Sequence, residues 1–174
     1  ATIKPPSWLP KAAAAHAKLP ATNVPWSVAL SFCKGMGGDL PSEAEWEWVA
    51  RGPEDRYFPW GRDAFGPDQV HIFADRVLVV AVTSATLDRT ASGISDLLGN
   101  AQEWTRNAFR GADLSDGPKS ATHKAVRGWP LNTDGRSNPA EGSTYRSPGC
   151  ADATCAAGEA RALERIGFRC VATE

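Results

Sequence analysis

The stretch Leu40-Pro41-Ser42-Glu43-Ala44-Glu45-Trp46-Glu47-Trp48-Val49-Ala50-Arg51-Gly52 constrains this chain most, because it specifies a helix at both of its ends. Ser42 followed three residues later by Glu45 is a capping box, in which each side chain satisfies a backbone donor the first turn leaves orphaned. Pro41 blocks a helix continuing in from upstream, and Gly52-Pro53 stops it. Trp46, Val49 and Ala50 fall on one face, which predicts that this face is buried. Glu43, Glu45 and Glu47 alternate around the helix, so no pair is expected to converge as a catalytic couple. They read as capping and helix-dipole residues.

A shorter amphipathic helix is predicted from Pro25 to Lys34, where Trp26, Ala29, Leu30 and Cys33 recur at intervals of three and four and Gly35 to Gly38 ends the run. Val77 to Val82 is a strand candidate, as are Ala125-Val126-Arg127 and Phe168-Arg169-Cys170-Val171. Tyr57-Phe58-Pro59-Trp60-Gly61 reads as an irregular aromatic loop, and the remainder is turn chemistry. Residues 1–22 read as an extended Pro/Ala arm docked by Trp8 and Leu9, and residues 23–174 as the folded domain. The sum is an α+β domain of two helices, short strands and low regular content.

The 174 residues suit one domain with a real core. Nineteen basic residues face 20 acidic ones, so no field draws nucleic acid or an anionic membrane. No run approaches the roughly 18 apolar residues of a membrane span. No signal peptide is visible, and Ala1 reads equally as a mature N-terminus or as the edge of a longer chain. Seven tryptophans among 16 glycines and 13 prolines describe long loops pinned by large aromatics. Each indole reads as a core anchor with one N–H to satisfy, in preference to a sugar platform.

Three segments, the one from Leu40 to Gly52, Gly99-Asn100-Ala101-Gln102-Glu103-Trp104, and Ile166-Gly167-Phe168-Arg169-Cys170, occur in the order in which the formylglycine-generating enzyme (sulfatase-modifying factor) family carries them. Pro59-Trp60-Gly61 matches that family as well. The resemblance runs from about Val24 to Ala172 and implies a C-type-lectin-like variant of the α+β class. The family's opening strand pair has no counterpart, which suggests a reduced domain or one piece of a larger protein.

In the family's enzymes, two cysteines shortly after an Arg-Gly-Gly-Ser motif bind copper(I) and drive the oxidation of a substrate cysteine. Here the matching place reads Arg127-Gly128-Trp129-Pro130-Leu131-Asn132. Tyr145-Arg146-Ser147 takes the place of the family's arginine-bearing strand. Cys150 and Cys155 come after that strand and not before it. Copper(I) selects thiolates, so the displaced pair argues against copper. The resemblance also implies a structural calcium ion held by Asp96, Gly99, Ala101 and Glu103, two carboxylates flanking two backbone carbonyls. The competing reading is that Asp96 and Glu103 cap turns or pair with arginines.

Four cysteines allow three disulfide pairings. The spacing of Cys150 and Cys155 suits a short local loop, which leaves Cys33 and Cys170 for a long-range bridge. The resemblance implies the same helix-to-terminus bridge. Such bridges place the chain in a periplasmic or extracellular compartment. His16, His71 and His123 are scattered and form no metal spacing. The reading that results is a non-catalytic binding or scaffold module that recognises a protein or glycan partner through the variable loops between 109 and 145. The alternatives are a divergent oxidoreductase acting on a peptide or small molecule, and a structural subunit of a surface assembly.

Overall fold

A computed structural model describes residues 17–62, 79–109, 123–128, 146–150 and 166–172. Its first helix, α1, spans Trp26–Gly35. It starts without a side-chain cap, Pro25 O accepting from the N–H groups of Val28 and Ala29. Gly38 and Asp39 then form a short strand, β1, before the second helix, α2, at Glu43–Arg51. The capping box is present as expected. Glu45 N–H donates to Ser42 Oγ at 3.1 Å, and Ser42 N–H donates to Glu45 Oε2 at 2.6 Å. Those bonds to Ser42 hold the Glu45 carboxyl below the usual range. Gly52 closes α2 at φ 63°, where any side chain would be strained and would also meet the Arg56 guanidinium at 2.7 Å.

The remaining strands are β2 (Gln102–Ala108), β3 (His123–Arg127), β4 (Arg146–Cys150), β5 (Ile166–Gly167) and β6 (Val171–Ala172). Four of them form a sheet in the order β4-β3-β2-β5, antiparallel except for the parallel β2–β5 pair. β1 and β6 pair separately, so closely that a Cβ on Gly38 would lie 2.3 Å from Val171 O. α1 packs Ala29 and Cys33 against Leu40, Trp104, Val126 and Ile166, and α2 packs Trp46 and Ala50 against Phe58, Leu97 and Leu98. Each fully buried leucine there is worth about 2–3 kcal/mol relative to exposure. The indoles of Trp26 and Trp104 satisfy their N–H groups on Thr105 O and Val24 O, both at 2.8 Å, stitching α1 and the segment before it to β2.

Four expectations need correction. Of the strand expected at Val77 to Val82, residues 79–82 are not in a strand: the Asn100 side chain takes both Val80 N–H (2.9 Å) and Val80 O (3.1 Å) in place of a ladder partner. Of the strand expected at Phe168 to Val171 only Val171 is in one, β6; residues 168–170 lie between β5 and β6, because Arg169 and Cys170 turn to other partners. β2 was read as a loop motif and is a strand in the middle of the larger sheet. Glu43 and Glu47 do converge, both pairing with Arg127, at 3.8 and 2.9 Å. They stand one helical turn apart, and the guanidinium bridges them. Residues 1–16 of the expected arm lie outside the described residues. No described helix is long and apolar enough to cross a membrane.

Candidate functional site

The loop from Leu87 to Ala101 is wound around one buried carboxylate. Asp88 Oδ2 accepts from the N–H groups of Leu98 and Gly99, both at 2.7 Å, and Asp88 O accepts from Asp96 N–H at 2.9 Å. Those bonds fold the loop back on itself and drive Leu97 and Leu98 into the core beneath α2. Asp96 and Asn100 sit at φ 56° and 68°, the left-handed region that aspartate and asparagine tolerate best among residues with a Cβ. Burial pushes the Asp88 carboxyl up to about 6, the two N–H bonds opposing the rise and the neighbouring Asp96 charge adding to it.

Glu103, on β2, stands at the centre of the site. Its Oε2 accepts from Trp46 Nε1 at 2.7 Å and from Arg169 Nε at 2.6 Å, and its Oε1 accepts from Arg169 Nη2 at 2.5 Å. Arg169 Nη2 also donates to Ser95 O and Asp96 O, both at 3.1 Å. Burial opposes the guanidinium's charge, but the Glu103 carboxylate, with Asp88 and Asp96 behind it, outweighs that and raises its pKa. Cys170, the next residue, is bonded to Cys33 across 137 positions of sequence, the helix-to-terminus bridge that the resemblance implied. Arg169 is therefore held from both sides.

A cavity of about 250 Å³ opens here, lined among others by Asp96, Asn100, Ala101, Glu103, Phe168 and Arg169. Of the four calcium candidates, Asp96, Ala101 and Glu103 line this cavity, and Gly99 lies in the same loop. Asp96 Oδ1 is buried without a hydrogen-bond partner among the described residues, while Oδ2 accepts from Thr83 N–H at 2.5 Å. Gly99 O accepts a single N–H, from Ala101, and a carbonyl has two lone pairs. Glu103 Oε1 has one donor. Both Glu103 oxygens, by contrast, accept from Arg169, and Oε2 also from the Trp46 indole. Glu103 thus pairs with an arginine, as the competing reading expected.

Sequence reasoning gave no site role to Asp88, Asn100 or Arg169, and read the Trp46 indole only as a core anchor with one N–H to satisfy. Trp46 carried a legible signal, because an indole on a buried helix face must find an acceptor. Asp88, in a run of turn residues, carried none. The short Cys150–Cys155 loop lies outside what the described residues show, as do residues 110–122 and 129–145 of the expected recognition loops.

The profile of the sulfatase-modifying factor enzyme 1-like domain matches residues 5–174. The chain belongs to that family. It is 28% identical over 166 residues to the Bos taurus protein named inactive C-alpha-formylglycine-generating enzyme 2, an alignment covering 88% of this chain and 50% of the relative. It is 26% identical over 174 residues to the formylglycine-generating enzyme of Mus musculus, covering 88% and 44%. The chain thus spans about half the length of the curated relatives it matches. Among solved structures it is similar to PvdO from Pseudomonas aeruginosa, with a TM-score of 0.58, 20% identity and coverage of 87% of this chain and 60% of that one. Treponema denticola variable protein 1 gives 0.60, 17%, 87% and 70%. Likeness at that identity establishes the fold, the formylglycine-generating-enzyme variant of the C-type-lectin-like class, and nothing about activity.

Proposed function

We propose that this family member is a non-catalytic module that binds a protein or glycan partner through the segments flanking β3, residues 109–122 and 128–145. One observation carries the non-catalytic part. In the β3–β4 register Arg127 lies opposite Arg146 and His123 opposite Cys150. Cys150 therefore stands four residues, or about 13 Å, along the sheet from the arginine after which a copper-binding pair would have to follow. Cys33 and Cys170 are joined to each other and offer no thiolate. Residues 129–131 read Trp-Pro-Leu, and a bulky indole followed by a φ-locked proline does not reproduce a turn of small residues. A relative named as inactive is in keeping with this reading. A disulfide joining α1 to the C-terminal segment suits a periplasmic or extracellular setting.

Offered a peptide with the sulfatase-type cysteine motif, copper and a thiol reductant, the protein should yield no aldehyde above a no-enzyme control. Turnover abolished by Cys150→Ser or Cys155→Ser would overturn the reading and favour the oxidoreductase. We propose further that calcium is held by Asp96, Gly99, Ala101 and Glu103, where it would neutralise the buried Asp96 carboxylate. A calcium excess of a hundredfold over its dissociation constant would stabilise the fold by about 2.7 kcal/mol. An unchanged melting temperature on chelation would end that proposal.

A further inference from the structure

Trp46 and Trp48 lie two residues apart on α2 and so point to different sides of it. Trp46 is buried on Glu103, whereas Trp48 is 65% exposed, the most exposed large apolar side chain among the described residues. Among the described residues the Trp48 indole has no hydrogen bond, ring partner or cation contact, and it belongs to neither core cluster. No contact within the described fold accounts for so large an aromatic there. Beside it lies a shallow cleft of about 380 Å³, lined by Ala44, Glu47, Trp48, Arg51, Gly52 and Asp55. That volume is at the lower end of small-ligand sites, about 300–1,000 Å³.

The chemistry of the lining narrows the ligand. Arg51 Nε donates to Asp55 Oδ1 at 2.8 Å and lies 3.8 Å from Glu47 Oε1, so the guanidinium is braced between two carboxylates. Asp55 Oδ2 has no partner among the described residues. Glu47 is also paired with Arg127, at 2.9 Å. Signs therefore alternate along the cleft, and no net field draws an ion. Ala44 and Gly52 are too small to cover the ring. What remains is an open aromatic face rimmed by fixed donors and acceptors.

We propose that this cleft binds a neutral pyranose sugar, stacked on Trp48, with its hydroxyls hydrogen-bonded by Asp55 and Arg51. The electron-rich face of an indole attracts the polarised C–H groups on one side of a pyranose ring, and the charged rim is suited to its hydroxyls. None of the residues lining the cleft belongs to the segments flanking β3, so the two proposals are tested by different substitutions.

The test is titration of the purified protein with cellobiose, maltose, mannobiose, chitobiose and lactose, followed by calorimetry and ligand-observed NMR. Concentrations up to about 10 mM suffice to detect millimolar binding. At least one saccharide should bind. Trp48→Ala should weaken it about tenfold or more, and Trp48→Phe less, since a smaller ring is kept. Both variants should keep the wild-type melting temperature, the side chain being at the surface. Replacing residues 129–142 with a Gly/Ser linker should leave this binding unchanged. No binding by any of the five sugars, or equal binding by Trp48→Ala, would overturn the proposal. So would a sedimentation mass that rises with concentration in the wild type but not in Trp48→Ala, since Trp48 would then be a contact between copies of the chain.

Discussion

Removing both members of the Glu103–Arg169 pair should destabilise the protein by clearly less than the sum of removing each alone. The Glu103 side chain is 9% exposed and that of Arg169 26%. In Arg169→Met, Glu103 keeps only the Trp46 indole as donor, and Ser95 O and Asp96 O each lose one. Breaking a buried pair from one side is worth about 3–5 kcal/mol. The partial exposure of the guanidinium puts this variant at the lower end, about 3 kcal/mol, after allowance for solvent screening. Glu103→Gln keeps one acceptor but turns an N–H₂ toward donors, which points to about 2–3 kcal/mol. In the double variant neither charge is stranded, so the loss should fall short of the sum by about 2 kcal/mol. Urea denaturation of all four proteins, with the Cys33–Cys170 bridge intact and chelator present, gives the cycle. Additivity within about 0.5 kcal/mol would refute the claim that these two side chains act as one unit.

The bridge spans 137 positions, so Cys33→Ser/Cys170→Ser should lower unfolding free energy by up to about 5 kcal/mol on the chain-entropy account, read from denaturant curves; a change under about 1 kcal/mol would exclude it. Asp88→Asn keeps an oxygen for the Leu98 and Gly99 N–H groups while removing a buried charge. The wild-type carboxyl titrates at about 6 when folded and near 3.9 when unfolded, so its ionisation opposes folding, fully above pH 6 and not at all below about pH 4. The asparagine variant's advantage in chelator should therefore grow from nothing at pH 4 to roughly 2–3 kcal/mol at pH 7; a pH-independent difference in melting curves would contradict it.

What the sequence revealed follows the range of the interactions involved. The capping box joins side chains three residues apart, so α2 was legible to its first residue, and Gly52 marked its end for an equally local reason. β2 was hidden because its first four residues are all buried. A strand flanked by β3 and β5 in mid-sheet loses the alternation of a half-exposed strand. Val79 to Val82 misled in the opposite sense: apolarity reports burial, and here the Asn100 amide stands in for a neighbouring strand. At Phe168 to Val171 the side chains overrode the backbone's preference, as Arg169 reaches Glu103 and Cys170 reaches Cys33. Each miss turns on a partner distant in sequence.

The three segments that carry the family resemblance turn out to be one physical object. Trp46 comes from the first, Glu103 from the second and Arg169 from the third, and all three meet on a single carboxylate within 2.7 Å. Losing any member would strand a buried charge or an indole N–H. This network says nothing about the segment after Arg127, where the family's enzymes carry their chemistry and where this chain reads Trp129-Pro130-Leu131. Membership and activity are thus encoded in different residues under different constraints. The first set is bound by a buried hydrogen-bond network, and the second is free to drift once no substrate depends on it. A relative can match along nearly its whole length and still differ at every atom that reacts.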